Sequence, residues 1–368
     1  MKISNIEIRL CAHKEPPMRD QEMRSGKKSE MEFLVIRFET DEGLTVDTFG
    51  FAGSGARHAG YLAASALKPF FMGKDPAFRE KHWQDFRMVD RWWHHVPIYS
   101  YGPFDICCWL LCAEAAGQPL YKYLGAVRDR VPIYASSLTL SSPSAYAEQA
   151  LAIKARGWAG YKLHPIGEER LDIESYRLCR EAVGADFTLM ADPVACYNHQ
   201  QALRIGRVLE GLKYHWFEEP LFDCDLNGLR ELARVLDIPI CAGEVLPGSH
   251  YMAAELIASR AVDIIRTDVS WKGGITPVIK TAHLAESFGF QCELHSTIYH
   301  PLEIINLHCC AAIANCEFFE VLEPVSYFDF GLKEKIRIED GCAILPEGSG
   351  RGIALDWDFI EDSTFEIL

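Results

Sequence analysis

Thr188-Leu-Met-Ala-Asp192, Trp216-Phe-Glu218-Glu219-Pro220 and Ile240-Cys-Ala-Gly-Glu244 decide the fold of this 368-residue chain. Each is a short apolar run that ends in a carboxylate, and Asp192, Glu218 and Glu244 follow one another at intervals of 26 residues. A run with no polar face reads as a parallel strand covered on both sides. Between the runs, residues 201–212 and 226–236 carry apolar side chains at three- and four-residue steps, the spacing of amphipathic helices. Strand, helix, strand at that period is a βαβ unit, whose right-handed crossover returns the chain beside its start. Three such strands set Asp192, Glu218 and Glu244 side by side at their carboxyl ends. Three bare carboxylates that close repel one another strongly unless a hard cation lies between them, and an all-oxygen set with room for water suits Mg²⁺.

The pattern extends in both directions. Strand starts fall near Val131, Gly160, Thr188, His215, Pro239, Asp263, Gln291 and Phe318, roughly 23–29 residues apart. Helical patterns lie between them at 144–156, 173–183, 249–259, 276–288 and 301–314. Eight strands at that spacing match a closed α/β barrel better than an open sheet. Upstream, residues 2–10, 33–39 and 44–49 alternate like the strands of a meander, with Asp41-Glu42-Gly43 as a turn. The polar stretch 11–31, with Pro16-Pro17 and Ser25-Gly26, is too long for a hairpin and reads as a lid that sets specificity together with residues 49–53. Helical patterns follow at 58–71, 77–93 and 101–116, the last apolar enough to be largely buried. Beyond the eighth strand, residues 331–368 read as turns and short strands that fold back onto the N-terminal unit. The expected organisation is an α+β capping domain over 1–125, a barrel over 126–330, and a tail, 331–368, that completes the cap.

Composition narrows the partners. A net charge of −15 argues against a nucleic-acid backbone, while an acidic substrate stays possible where a metal and local cations set the field. Thirteen cysteines show no zinc-like spacing, and the pairs Cys107-Cys108 and Cys309-Cys310 sit in apolar helical patterns. An odd count with no export signal fits reduced, buried thiols in a cytoplasmic protein. No apolar run reaches membrane length, so no membrane partner is expected.

Barrel sites are built at the carboxyl ends of the strands. The second strand ends Tyr161-Lys162-Leu163-His164, which points Lys162 and His164 to one side. The sixth ends Arg266-Thr267-Asp268, the seventh Glu293-Leu294-His295, and the eighth offers Phe319-Glu320-Val321. Asp268 and His295 end adjacent strands, about 4.8 Å apart, so the carboxylate can hold one imidazole nitrogen and leave the other for proton transfer. Arg266 reads as a core cation behind the site, and Glu219 as a carboxylate that pairs with a base rather than the metal. His94-His95 and Trp92-Trp93 read as packing more than as substrate contacts. His250, His283, His300 and His308 fall on or beside helices, where structural roles are expected. Gly273-Gly274 is only a weak sign of a phosphate loop.

This constellation resembles the enolase superfamily and, within it, the mandelate racemase subgroup. The similarity rests on Lys162-x-His164, Asp192, Trp216-Phe-Glu218-Glu219-Pro220, Gly243-Glu244, Asp268 with Gly273-Gly274-Ile275-Thr276, and His295. It also takes in Phe104-Asp105-Ile106 ahead of Gly117-Gln118-Pro119-Leu120, and so runs through nearly the whole chain. It implies a (β/α)7β variant of the TIM-like barrel, Mg²⁺ held by Asp192, Glu218 and Glu244, and a His295–Asp268 catalytic dyad. Lys162 then matches the lysine that faces the substrate carboxylate, and Glu320 the carboxyl that helps to hold substrate. His164 departs from the subgroup's usual second lysine, and two nearby cations, Lys162 and the metal, are expected to keep it neutral and able to accept a proton.

A divalent metal flanked by a base and an acid suits abstraction of the proton α to a carboxylate. The first reading is a sugar-acid dehydratase, a hydro-lyase that converts an aldonate or aldarate to a 2-keto-3-deoxy acid. In it His164 removes the C2 proton and His295, beside Asp268, protonates the departing hydroxyl; the reverse assignment stays open. The alternative is a racemase or epimerase that uses both histidines on one carbon. A non-catalytic carbohydrate- or metal-binding protein is a third class, separated by solvent deuterium exchange. A homo-oligomer, dimer to octamer, is the expected assembly.

Overall fold

The computed structural model describes residues 1–13, 30–52 and 55–368. The lid stretch, residues 11–31, and Gly53 therefore fall largely outside the described residues. The meander is present as β1 (Ile3–His13), β2 (Met31–Thr40) and β3 (Thr45–Phe51), antiparallel, with Ile6, Ile8 and Leu10 turned into the core by their alternation.

The barrel strands are β4 (Arg130–Ser137), β5 (Gly160–Leu163), β6 (Thr188–Ala191), β7 (Phe217–Glu218), β8 (Ile240–Ala242), β9 (Ile264–Thr267), β10 (Gln291–Leu294) and β11 (Phe319–Glu323). From β4 to β10 each pairs in parallel with the next, and β11 returns to pair in parallel with β4. Seven helices connect the eight strands, from Pro143–Ala155 to His300–Ala312. The fold is α/β, a (β/α)7β barrel beside a separate antiparallel sheet.

Among the described residues no ladder joins β10 to β11. The seam is crossed instead by the amide of Cys292, which donates to Asn315 O at 2.8 Å, and that of Ser296, which donates to a carboxylate oxygen of Glu320 at 2.8 Å. β4 is the longest barrel strand because it also serves the tail. Its first residues pair antiparallel with β13 (Cys342–Ile344), the inner arm of a hairpin with β12 (Ile338–Glu339). The tail then forms a helix, Trp357–Ser363, and β14 (Thr364–Ile367), which pairs with β1 at the edge of the N-terminal sheet. That helix was not expected from the sequence. Its start is set by Asp356, whose carboxylate accepts from the Phe359 amide at 3.3 Å.

Helix Ile98–Ala115 is buried along most of its length and locks cap to barrel. Its Asp105 accepts from the Thr276 amide at 2.8 Å and from its hydroxyl at 2.7 Å. Gly273 and Gly274, at φ +96° and +101°, let that helix approach, since a Cβ on Gly274 would lie 2.6 Å from Asp105 Oδ2. The pair serves packing, not phosphate. The histidines on helices have the structural roles expected: His308 accepts from the Tyr121 amide at 3.1 Å, and His300 Nε2 accepts from the Ile336 amide at 3.2 Å. Trp92 and Trp93, by contrast, are not packed; Trp93 is 79% exposed. They end helix Arg79–Trp93 on its outer side, where the chain turns at His95 (φ 51°) before Val96 dives into the core. Among the described residues no helix is long and apolar enough to cross a membrane, and all thirteen cysteines are free, ten of them buried.

Candidate active site

The barrel interior is built in two tiers. Tyr134, Met190, Trp216, Cys241, Ile264 and Phe318 form an apolar plug, with Tyr134 edge-on to Trp216 at 5.6 Å. Beside the plug and at the carboxyl ends of the strands lies a dense set of charges, all shielded from water. Asp192 directly follows β6, Glu218 ends β7, and Glu244 follows β8, with one oxygen of each within 4.8 Å of the others. The three residues read from their 26-residue spacing are therefore brought together.

Lys162 is fully buried between them. Its Nζ lies 2.9 Å from Asp192 Oδ2, Glu218 Oε1 and Glu320 Oε1. Arg266 does the same from the next side, at 2.8 Å from Glu218 Oε1, 2.7 Å from Glu320 Oε2 and 3.5 Å from Glu244 Oε2. Burial opposes both cations, but these carboxylates outweigh it and hold the ammonium and guanidinium well above their ordinary pKa range. Glu320 is drawn well below its range in turn: burial raises it, and Lys162 with Arg266 overcomes that.

Four carboxylates thus share two permanent cations, and Glu244 is left with the deficit. Burial and the charges of Glu218 and Asp192 push its carboxyl well above the usual range, and its Oε2 has no hydrogen bond. An unsatisfied oxygen in an all-carboxylate cluster short of positive charge is what a hard divalent cation would complete. The donor set fits Mg²⁺.

A histidine stands at each end of this cluster. His164 Nε2 is 2.9 Å from Asp192 Oδ2, and its Nδ1 donates to the carbonyl of Ser137 at 2.5 Å. Its pKa is raised: burial lowers it, but the charge and hydrogen bond of Asp192 prevail. The positive charge of Lys162, one of the two cations on which the sequence reading of a neutral imidazole rests, is absorbed by three carboxylates. His295, stacked on Trp271 at 4.5 Å, places Nε2 3.8 Å from Glu244 Oε1 and Nδ1 3.6 Å from Asp268 Oδ2. That is longer than a hydrogen bond, yet neither Nδ1 nor Oδ2 has another partner. Asp268 Oδ1 is occupied by the Ser270 amide and hydroxyl, both at 2.7 Å, and the Trp271 amide at 2.6 Å. Burial raises the Asp268 pKa, and His295 and these donors bring it below the ordinary range.

One expectation is corrected. Among the described residues Glu219 pairs with no base: its Oε1 accepts the amides of Gly243 (2.7 Å) and Glu244 (3.1 Å), and burial pushes its carboxyl up to about 7. At φ +38° its backbone turns the side chain under the β8 loop, so it fixes the backbone that carries Glu244. Three contributors were not singled out from the sequence. Ser137 ends the one strand whose end was not read, and it fixes the His164 tautomer. Trp271 lies three residues past Asp268. Glu303 accepts from the hydroxyls of Ser296 and Thr297, both at 2.8 Å, and braces the turn that follows His295.

The comparisons with known proteins agree with this architecture. Residues 145–359 match the family described as Enolase C-terminal domain-like. The crystal structure of D-glucarate dehydratase from Agrobacterium tumefaciens complexed with magnesium superposes with a TM-score of 0.88 at 30% identity, covering 100% of both chains. L-talarate/galactarate dehydratase of Salmonella typhimurium is 29% identical over 353 residues, 92% of this chain and 85% of that one. Arabinonate dehydratase of Saccharolobus solfataricus is 29% identical over 345 residues, 91% of this chain and 90% of that one. With the barrel, the strand-end carboxylates and the match over more than half its length, the chain belongs to the enolase superfamily, in its mandelate racemase subgroup.

Proposed function

We propose that the protein is a Mg²⁺-dependent sugar-acid dehydratase that turns an aldonate or aldarate into a 2-keto-3-deoxy acid. The observation that carries this reading is a buried, charge-deficient triad, Asp192, Glu218 and Glu244, with a histidine at each end. The sugar-acid dehydratases among its relatives support the same class. Asp192, Glu218 and Glu244 would hold Mg²⁺, which would supply positive charge to offset the negative charge that develops on the substrate carboxylate as C2 loses its proton.

In this reading His164 is the base at C2. Its Nδ1–H is committed to the Ser137 carbonyl, so Nε2 is the nitrogen left to take the proton. His295 is the acid. Paired with Asp268, it donates a proton to the 3-hydroxyl as the C3–O bond breaks and water departs. The resulting enol tautomerises to the 2-keto acid. Lys162 and Glu320 form the base of the carboxylate subsite, Lys162 offsetting its charge and Glu320 holding the Lys162 ammonium in place at 2.9 Å. The unlike surroundings of the two histidines favour unlike roles over the symmetric exchange that a racemase needs. Isomerases also occur in the family, and racemisation is the second reading. Residues 1–125 and 331–368 are read as the cap over the 126–330 barrel, and the protein as a homo-oligomer in the cytoplasm, a compartment that its free thiols support.

The test is a panel of aldonic and aldaric acids with Mg²⁺ in D₂O, assayed for 2-keto acid and followed by proton NMR. A 2-keto-3-deoxy product is expected. Inverted, deuterated C2 with no keto product would overturn dehydration in favour of racemisation.

A further inference from the structure

His295 is poorly tethered for a residue that must deliver a proton to one oxygen. Among the described residues neither ring nitrogen makes a hydrogen bond: Nδ1 stands 3.6 Å from Asp268 and Nε2 3.8 Å from Glu244. Its backbone is fixed, the amide donating to Thr267 O at 2.9 Å, which leaves the ring free to turn about its side-chain bonds. What faces the ring is Trp271. The two planes are 24° from parallel with centroids 4.5 Å apart, an offset stack.

Trp271 is itself held on two sides. Its amide donates to Asp268 Oδ1 at 2.6 Å, so the residue that stacks on the imidazole also orients the carboxylate that pairs with it. Its indole meets Phe51, the last residue of β3 in the N-terminal sheet, edge-on at 5.6 Å. Phe51 in turn is braced edge-on by Tyr99 at 5.6 Å. The imidazole is thus reached from the cap sheet through two ring contacts.

We infer that Trp271 is a positioning residue for the protonation of the leaving hydroxyl, holding His295 in register with Asp268 and being held in turn by Phe51 of the cap. This deepens the dehydratase reading and rests on it. Among the described residues the ring contacts of the indole are with His295 and Phe51, so its removal is expected to act on one half of the reaction. Proton abstraction at C2 continues, while departure of the hydroxyl slows, and the substrate regains a proton from solvent instead.

The experiment compares wild type, Trp271→Phe, Trp271→Ala and Phe51→Ala with Mg²⁺ in D₂O, on an acid that the wild type dehydrates. Two rates are read: deuterium entering C2 of recovered substrate, and 2-keto acid formed. Trp271→Ala is expected to raise the ratio of exchange to product at least about tenfold, a fraction of the effect of losing a general acid outright. Trp271→Phe, which keeps a ring on the imidazole, and Phe51→Ala, which frees the indole, are expected to fall between. A merely structural role lowers both rates together, so an unchanged ratio in Trp271→Phe and Trp271→Ala overturns the assignment, as does undiminished keto-acid formation in Trp271→Ala. Should the alanine variant fail to fold, the phenylalanine variant decides by the same ratio. If no acid in the panel yields keto acid with the wild type, the dehydratase reading fails and this assignment falls with it.

Discussion

Glu218 and Glu244 present the same functional group to the same site and are expected to fail differently when changed to glutamine. Glu218 accepts from Lys162, Arg266 and Trp216 Nε1, at 2.9, 2.8 and 2.8 Å. An amide there leaves two buried cations under-compensated, so Glu218→Gln should lose Mg²⁺ response and activity and also lower the Tm. Glu244 Oε2 has no hydrogen bond among the described residues, only Arg266 at 3.5 Å, and burial already disfavours its charge. Glu244→Gln should therefore keep or raise the Tm of the metal-free protein while losing its stabilisation by Mg²⁺. For the wild type that stabilisation approaches about 2.7 kcal/mol at a hundred times the Kd. Thermal melts with and without Mg²⁺ check both; a Glu244→Gln protein that gains as much from Mg²⁺ as the wild type would remove Glu244 from the ligand set. Asp268→Asn should leave the fold intact, because Oδ1 keeps its three donors, and cut turnover by roughly 10²–10⁴, since an amide cannot stabilise the imidazolium. Wild-type turnover in that variant would remove the dyad.

At the scale of elements, helix Ile98–Ala115 and helix Ile275–Ser287 are joined by one carboxylate. Burial pushes the Asp105 carboxyl up to about 6 against about 4 in an unfolded chain. A raised carboxyl pKa means that the folded state holds its proton longer, so this residue's contribution to stability falls as pH rises from about 4 through 6. Asp105→Asn should track the wild type near pH 4 and gain on it by roughly 2–3 kcal/mol by pH 7, read as the difference in denaturant midpoints. A difference that does not change with pH would show that Asp105 is ionised throughout. Gly274→Ala should destabilise by about 2 kcal/mol or more, being strained at φ +101° and blocked by Asp105. The strands themselves were legible in the sequence because a buried parallel strand declares itself as an apolar run, and each starts within two residues of where the run begins. The site was legible for the same reason: Asp192, Glu218, Glu244, Asp268 and His295 occupy equivalent strand-end positions. Glu219, the helix Trp357–Ser363 and the exposed Trp92-Trp93 were not, since each depends on what lies across space rather than on local period.

For the molecule as a whole, the last strand matters as much as the barrel. β14 covers the edge of β1, and the Leu368 amide donates to Ile8 O at 2.8 Å. Removing residues 364–368 should expose that edge, lower the Tm and promote self-association, measurable by light scattering. The open ladder between β10 and β11 has a wider consequence. There the barrel is fastened in part by the site: besides the Cys292 amide on Asn315 O and the Glu293 carboxylate on the Glu317 and Phe318 amides, Glu320 takes the Ser296 amide with one oxygen, the oxygen that also meets Arg266, and reaches Lys162 with the other. The charged cluster at the strand ends and the closure of the cylinder therefore share one joint. Such a chain has little freedom to drift toward a new substrate by altering Glu320, because any change that retunes its grip on a ligand also loosens a stave of the barrel, and selection must keep both or neither.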